Sequence, residues 1–93
     1  MPSHIRLRIT GRVQGVFYRQ STAEKARELG LKGFVMNMKD GSVVLEAAGD
    51  DVSLKALRLW CESGPPLAKV DRVEEETPQH DGSFPAFVIE RNH

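Results

Sequence analysis

The sequence predicts an α+β domain in which an antiparallel sheet carries two helices on one face. Three observations predict this class. Residues 5–10 alternate between apolar and polar side chains, two stretches have the apolar spacing of helices, and an Asp-Gly pair separates two apolar runs. The 93 residues are enough for one domain, covering 1–93, and too few for two.

The first third of the chain supplies a strand, a loop and a helix. Residues 5–10 have the two-residue period of a strand with one buried face. Two glycines punctuate the segment 11–18, which is therefore predicted to be a loop. Residues 20–29 place their apolar side chains on one side and their charges on the other, as in an amphipathic helix, and Gly30 suits the turn that ends it.

The middle of the chain predicts a hairpin and a second helix. The apolar runs 31–38 and 42–48 flank the Asp-Gly pair, which is typical of a tight turn between two strands. A helix capped by Asp50 or Asp51 is predicted to run to about Glu62, where a Ser-Gly-Pro-Pro segment stops it.

Two further strands are predicted near 69–76 and 86–91, and the charges of the first suit a sheet edge. The segment from Pro78 to Pro85 is predicted to be a loop. The element order is then β-α-β-β-α-β plus a short terminal strand. With strand order 4-1-3-2 this is a ferredoxin-like α/β sandwich.

Composition limits the function classes. The 13 basic and 13 acidic side chains balance, which argues against broad attraction to nucleic acids or membranes. The single cysteine, Cys61, excludes an internal disulfide and suits a cytoplasmic location. No apolar stretch indicates a signal peptide or a membrane span. We expect a monomer.

The predicted topology brings two polar features to one edge of the sheet. A right-handed crossover makes the first two strands parallel, so the loop after the first strand lies near Asn37 at the end of the second. A loop of backbone N–H groups that leads into a helix forms an anion-binding concavity, and Gly15 permits its tight geometry. Arg19 follows in the first helical turn, where its planar guanidinium could hold two phosphate oxygens.

The same residues also allow a purely structural interpretation. A glycine-containing turn followed by a solvated arginine is common, and spacing alone favours this simpler reading. Asn37 is unusual in a strand, but it also fits a residue that prepares the hairpin. We expect Gly33, Val35 and Asn37 to face the helices, because only then does Asn37 lie on the side where the first helix begins.

At these residues the sequence resembles the acylphosphatase family. The segment 11–19, Gly-Arg-Val-Gln-Gly-Val-Phe-Tyr-Arg, is similar to the family's phosphate-binding signature. The segment 33–43, Gly-Phe-Val-Met-Asn-Met-Lys-Asp-Gly-Ser-Val, is similar to its second signature, which surrounds the catalytic asparagine. The resemblance extends from about residue 5 to 91, and two motifs at compatible spacing are far more specific than one.

The resemblance implies a hydrolase that cleaves acyl phosphates without a metal or cofactor. It implies that Asn37 orients the attacking water and that the phosphoryl group is bound by Arg19 together with the loop amides of Gln14, Gly15, Val16, Phe17, Tyr18 and Arg19. Two positions depart from the family's usual pattern. Met36 stands where a basic residue is frequent, which bears on substrate preference, and Phe34 stands where tryptophan is frequent. The residues do not distinguish among acetyl phosphate, carbamoyl phosphate, 1,3-bisphosphoglycerate and protein aspartyl phosphates.

Other function classes stay open on the motifs alone. Residues 32–35 faintly resemble an RNA-binding motif, but the later aromatic residues needed for base stacking are missing. A sensor that binds a phosphorylated metabolite without turnover would share the same motifs, as would the acylphosphatase-like domains of larger carbamoyl-transfer proteins. Among the other reactive residues, His4, His80 and His93 are expected to be solvated, and Cys61 to lie in the core.

Overall fold

The computed structural model of the protein describes residues 3–90, which form a five-stranded sheet and two helices. The elements follow the predicted order: β1 (Ser3–Arg12), α1 (Tyr18–Glu28), β2 (Lys32–Asn37), β3 (Val43–Gly49), α2 (Asp51–Ser63), β4 (Lys69–Glu76) and β5 (Phe87–Glu90). Residue 91 of the predicted last strand and His93 lie outside the described residues.

The strand order is β4-β1-β3-β2-β5, so the predicted 4-1-3-2 arrangement is confirmed. The charged strand β4 lies at a sheet edge, as expected. The terminal strand β5 pairs with β2 in parallel, which makes the sheet mixed rather than antiparallel throughout. The cause is topological. β4 ends at the side of the sheet where β1 and β2 begin, and a strand that starts from that side must run parallel to β2.

Two boundaries differ from the prediction near the predicted loop. β1 continues to Arg12, because the register shift at Thr10/Gly11 lets the strand keep pairing with β4 beyond a bulge. α1 begins at Tyr18, two residues early, because the aromatic side chain is buried and fixes the first helical turn. The connecting loop is therefore only residues 13–17.

The main core lies between the sheet and the helices. Alternate side chains of the central strands meet the apolar stripes of α1 and α2, and the fully buried members include Leu7, Ile9, Ala23, Ala26, Val35, Leu45, Leu57 and Cys61. The core position of Val35 confirms that Gly33, Val35 and Asn37 share the helix-facing side of β2. Phe34 points to the opposite face, where its ring contacts His80 and Phe84 edge to face.

The opposite face is covered by the loop 77–86, which we call the strap. The strap is attached to the sheet through Glu46, whose fully buried carboxylate lies in the middle of β3. Glu46 accepts hydrogen bonds from Arg6, from the backbone N–H of Gln79 and from the ring nitrogens of His4 and His80, at 2.7–3.0 Å. The expectation that His4 is solvated is therefore wrong, because its ring is mostly buried against this anion, whereas His80 also contacts the anion but keeps about half of its side chain exposed, 52%.

The network controls the ionisation of Glu46. Burial alone would raise the pKa of this carboxyl group, but the hydrogen bonds from His80, Gln79, Arg6 and His4 outweigh burial and lower its pKa to about 2.

No helix within residues 3–90 combines the length and apolar character that crossing a bilayer requires.

Candidate active site

The ends of β1 and β2 and the start of α1 enclose a cavity at one edge of the sheet. β1 and β2 each pair antiparallel with β3, so they run in the same direction and end on the same side. The cavity has a volume of about 320 Å³, within the range of small-ligand sites. Its lining comprises Val13, Gly15, Phe17, Tyr18, Arg19, Gln20, Asn37 and Ile89.

Most of the candidate site residues meet at this cavity. Arg19, the second residue of α1, and Asn37, the last residue of β2, both line it, together with Gly15, Phe17 and Tyr18 of the loop segment. The structure therefore places the guanidinium and the carboxamide on the same rim. Gln14 and Val16, which the resemblance also implicates, do not line the cavity.

In the loop 13–17, two valines are held by packing and the backbone bends at a glycine and a phenylalanine. Val13 is buried and Val16 packs against the core. Between and after them, Gly15 (φ 74°) and Phe17 (φ 65°) adopt left-handed backbone conformations. Gly15 adopts this conformation without steric cost, whereas in Phe17 the Cβ atom makes it strained. Turns of this kind aim successive N–H groups toward one concave surface, which suits an anion.

The N-terminus of α1 adds to the positive character of the cavity. Phe17 provides no side-chain cap, and the first turn contains no acidic residue, so the initial N–H groups are not satisfied by a side chain. Arg19 places a cation at this positive end of the helix, an arrangement that a bound anion would relieve. Within residues 3–90 no carboxylate pairs with Arg19. Its side chain makes one hydrogen bond in this part of the chain, a long 3.4 Å contact from Nη1 to the Glu90 carbonyl oxygen.

The carboxamide of Asn37 lines the cavity and has an unused acceptor. Its Oδ1 is buried and has no hydrogen-bond partner among residues 3–90. A buried polar atom without a partner costs about 1–3 kcal/mol. A half-turn of the amide exchanges Oδ1 with Nδ2, so this side chain can offer either an acceptor or a donor to a small ligand in the cavity.

The side chain of Gln14 ties the loop to the β2–β3 turn. Its Nε2 donates to the carbonyl oxygens of Met38, at 2.7 Å, and Ser42, at 2.8 Å. Met38 follows Asn37 directly, so this contact couples the position of the loop to that of the carboxamide. The sequence analysis assigned Gln14 only a backbone role. In the sequence, the signal for this role of the side chain is a glutamine in a glycine-containing loop that the predicted topology places opposite a hairpin.

Asp40 stabilises the turn itself, as its Asp-Gly context predicts. Its Oδ1 accepts hydrogen bonds from the hydroxyl and backbone N–H of Ser42, and Arg8 lies 3.4 Å from its Oδ2. These contacts, the Ser42 hydroxyl first, lower the pKa of Asp40. Asp40 does not line the cavity and is not a candidate acid or base.

Tyr18 and Cys61 are structural residues, although the ring of Tyr18 borders the cavity. The Tyr18 hydroxyl donates to the Cys61 carbonyl oxygen at 2.8 Å. Burial raises the pKa of the Tyr18 phenol, and burial likewise raises the pKa of the Cys61 thiol to about 12. The prediction that Cys61 belongs to the core is confirmed. Among residues 3–90, no three His, Cys, Asp or Glu side chains cluster as a metal site would require.

Comparisons with known proteins agree on one family. A family model described as Acylphosphatase matches residues 5–89. Curated proteins named Acylphosphatase from Methylococcus capsulatus and Anaeromyxobacter dehalogenans are 49% identical over 84 residues and 47% identical over 91 residues. These matches cover 90% of this chain and 91% of the first relative, and 96% and 98% for the second. The solved structure of an acylphosphatase from Coxiella burnetii matches with a TM-score of 0.89 at 37% identity, over 96% of this chain and 93% of that one.

Proposed function

The chain belongs to the acylphosphatase family of hydrolases, and we propose that the cavity at Arg19 and Asn37 is where it hydrolyses acyl phosphates. The products are a carboxylate and inorganic phosphate. The observation that carries this assignment is the presence of both side chains in the lining of one cavity beside an uncapped helix N-terminus. A phosphoryl group and a water molecule can be held there together.

The phosphoryl group binds at the loop and the start of α1. The guanidinium of Arg19 binds two of the three phosphoryl oxygens, and the backbone N–H groups of the segment from Gln14 to Arg19 donate to the phosphoryl group as well. Arginine matches this task because its forked geometry and permanent charge suit a planar pair of oxygens. The same donors stabilise charge that shifts onto the phosphoryl oxygens as the anhydride bond breaks.

Asn37 positions the nucleophile. With Oδ1 turned to the cavity, the carboxamide accepts a hydrogen bond from the water and leaves a lone pair on the water oxygen directed at phosphorus. The water oxygen forms the new bond to phosphorus, the bond from phosphorus to the acyl oxygen breaks, and the carboxylate leaves with the electron pair. One water proton stays on the oxygen that is now bound to phosphorus, and the other passes to another phosphate oxygen or to solvent.

We propose that this reaction needs neither a general acid nor a metal. A carboxylate is a stable anion, so it departs from phosphorus without being protonated, and phosphoryl transfer depends mainly on positioning and charge stabilisation. Among residues 3–90, the cavity lining consists of side chains other than carboxylates and imidazoles, and the phenol of Tyr18 donates to a backbone carbonyl oxygen.

The cellular setting belongs to the same proposal. We take residues 1–93 to be one domain that works as a cytoplasmic monomer on small-molecule acyl phosphates and does not bind nucleic acid. The balanced charge and the lack of a disulfide support this view. Light scattering after gel filtration tests the monomer, and a salt-sensitive shift of labelled RNA would contradict the absence of nucleic-acid binding.

The test of the proposed function is turnover of acetyl phosphate and benzoyl phosphate in excess chelator. We expect both anhydrides to be consumed. Asn37→Ala should lower kcat by about 10²–10³-fold, the usual cost of one preorganised polar group, while the inhibition constant of inorganic phosphate stays near that of the wild type. Phosphate binding without any wild-type turnover would instead indicate a sensor. Normal turnover in Asn37→Ala would remove Asn37 from the mechanism.

A further inference from the structure

Among residues 3–90, the exposed part of the cavity lining contains one polar side chain, that of Gln20. The exposed lining residues are Gly15, Phe17, Gln20 and Ile89. Gln20 is the third residue of α1 and follows Arg19 directly along the chain. Its amide offers two N–H donors and a carbonyl acceptor to a ligand, and the steps at Arg19 and Asn37 do not involve it.

The position of the nucleophile sets the direction in which the acyl group leaves. In the proposed mechanism Asn37, whose Oδ1 is buried, holds the attacking water at the inner side of the cavity. The attacking and leaving oxygens lie roughly in line through phosphorus. The bond from phosphorus to the acyl oxygen therefore points outward, toward the exposed part of the lining, where Gln20 lies next to the residue that binds the phosphoryl group.

We propose that Gln20 is a further catalytic residue, whose Nε2 group donates a hydrogen bond to the carbonyl oxygen of the acyl group. This inference rests on the proposed function, because the phosphoryl group must lie at Arg19. As the water oxygen bonds to phosphorus, the bond from phosphorus to the acyl oxygen breaks, and its electron pair spreads over both oxygens of the leaving carboxylate. The amide of Gln20 keeps its protons throughout.

A hydrogen bond at this place strengthens as the reaction proceeds. The acyl carbonyl oxygen is neutral in the bound substrate and carries part of the negative charge of the product carboxylate. Hydrogen bonds to charged acceptors are roughly twice as strong as those between neutral groups. Only an interaction that is stronger in the transition state accelerates the chemical step. The benefit is greatest for basic carboxylates, which are poor leaving groups, so Gln20 makes turnover less sensitive to leaving-group basicity.

The experiment measures kcat/KM for benzoyl phosphates with a 4-nitro, an unsubstituted and a 4-methoxy ring, whose carboxylates increase in basicity in that order. Gln20→Met removes the donor and keeps the length of the side chain. It should lower kcat/KM by about ten-fold for the methoxy substrate and about three-fold for the nitro substrate, which is the range expected of one hydrogen bond. The dependence on leaving-group basicity then becomes steeper, which a uniform loss of binding or of folded protein would not cause.

Two other substitutions of Gln20 test the donor itself. Gln20→Lys supplies a different donor, so the dependence on basicity should stay as shallow as in the wild type. Gln20→Glu replaces the donor by a carboxylate that repels the leaving group, so at pH 7 it should lower kcat/KM for the methoxy substrate more than Gln20→Met does. A dependence as steep in Gln20→Lys as in Gln20→Met would overturn the proposed hydrogen bond.

Glu24→Met is the matched control. Glu24 lies one turn further along α1 on the same face, is exposed and does not line the catalytic cavity, so this substitution should leave the dependence on basicity unchanged. An equal change for all three substrates in Gln20→Met, or no change, would overturn the role of Gln20 while leaving the proposed function intact. A wild-type protein that hydrolyses none of the three would overturn the proposed function itself.

Discussion

At Phe17 the neighbours force a backbone conformation that the residue would otherwise avoid. A left-handed conformation costs a non-glycine residue about 1–2 kcal/mol. The preceding Val16 packs against the core, and the following Tyr18 is buried with its hydroxyl bonded to the Cys61 carbonyl oxygen. Because both neighbours are held, the bend between them is fixed, and the loop N–H groups are oriented before any anion arrives.

Arg19 is the residue whose geometry matters most for binding. Arg19→Lys keeps the charge but replaces the fork by a single ammonium group, so we expect kcat/KM to fall by about 10²-fold or more. Arg19→Ala should lose nearly all activity. Both proteins should unfold within about 1 kcal/mol of the wild type in urea, because the side chain is partly exposed and makes one long hydrogen bond among residues 3–90.

Arg12 supplies the control for this comparison. It is exposed at the end of β1, close along the chain to the loop, but it does not line the cavity. Arg12→Lys should therefore hydrolyse acetyl phosphate at the wild-type rate. If Arg19→Lys did so as well, a bidentate contact would not be part of the mechanism. A large loss of stability in Arg19→Ala would show that Arg19 supports the fold instead.

At the scale of elements, the site depends on holding a loop and a hairpin in register. The loop 13–17 follows β1 and the turn follows β2, and no backbone hydrogen bond among residues 3–90 joins loop to turn. The bridge is the Nε2 group of Gln14, which donates to Met38 and Ser42. One amide group thus sets the spacing between the anion-binding loop and Asn37.

Gln14→Glu should separate this positioning role from simple stability. A carboxylate cannot donate to the two carbonyl oxygens and repels them, so kcat should fall by about ten-fold or more, and more than in Gln14→Ala. The cost in stability should be about 1–3 kcal/mol in urea unfolding. Assays well below the unfolding transition distinguish the two effects, since a merely structural Gln14 would leave kcat unchanged there.

For the whole molecule, the sequence predicted the helices and strands, the strand order and the edge of the sheet at which the cavity lies. Alternation of apolar side chains and the Asp-Gly turn are local signals that predicted the strands and the hairpin, and the expected position of Asn37 placed Val35 in the core correctly. What the sequence did not predict depends on contacts between distant residues. The parallel pairing of β5, the Gln14 bridge and the binding of His4 and His80 to Glu46 all join segments at least 24 residues apart. A single Glu within the apolar run 43–48 was the one available signal for the network.

The Glu46 network links the sheet to the strap, and through the strap to β5 and the cavity wall. Arg6 and Glu46 face each other across the β1–β3 pair, and Arg6 also contacts Glu76 of β4. His80 and the backbone of Gln79 attach the strap to the same carboxylate. The strap then leads into β5, where Ile89 lines the cavity. Loss of the carboxylate charge should therefore loosen a large part of the back face at once.

The acid dependence of unfolding tests this network. The pKa of Glu46 is about 2 in the folded chain, below its ordinary value of 4.5, so its stabilisation is complete above about pH 4.5 and is lost as the pH falls toward 2. This loss amounts to roughly 3 kcal/mol. Glu46→Gln should be less stable than the wild type at pH 7 by about 3–5 kcal/mol, since Arg6 loses its buried partner and keeps only the longer contact with Glu76, and the difference should shrink toward pH 2. Glu75→Gln, which removes the exposed pair with Arg58, should cost less than about 1 kcal/mol at either pH. A difference between wild type and Glu46→Gln that stayed constant from pH 7 to pH 2 would mean that the charge of Glu46 does not hold the strap.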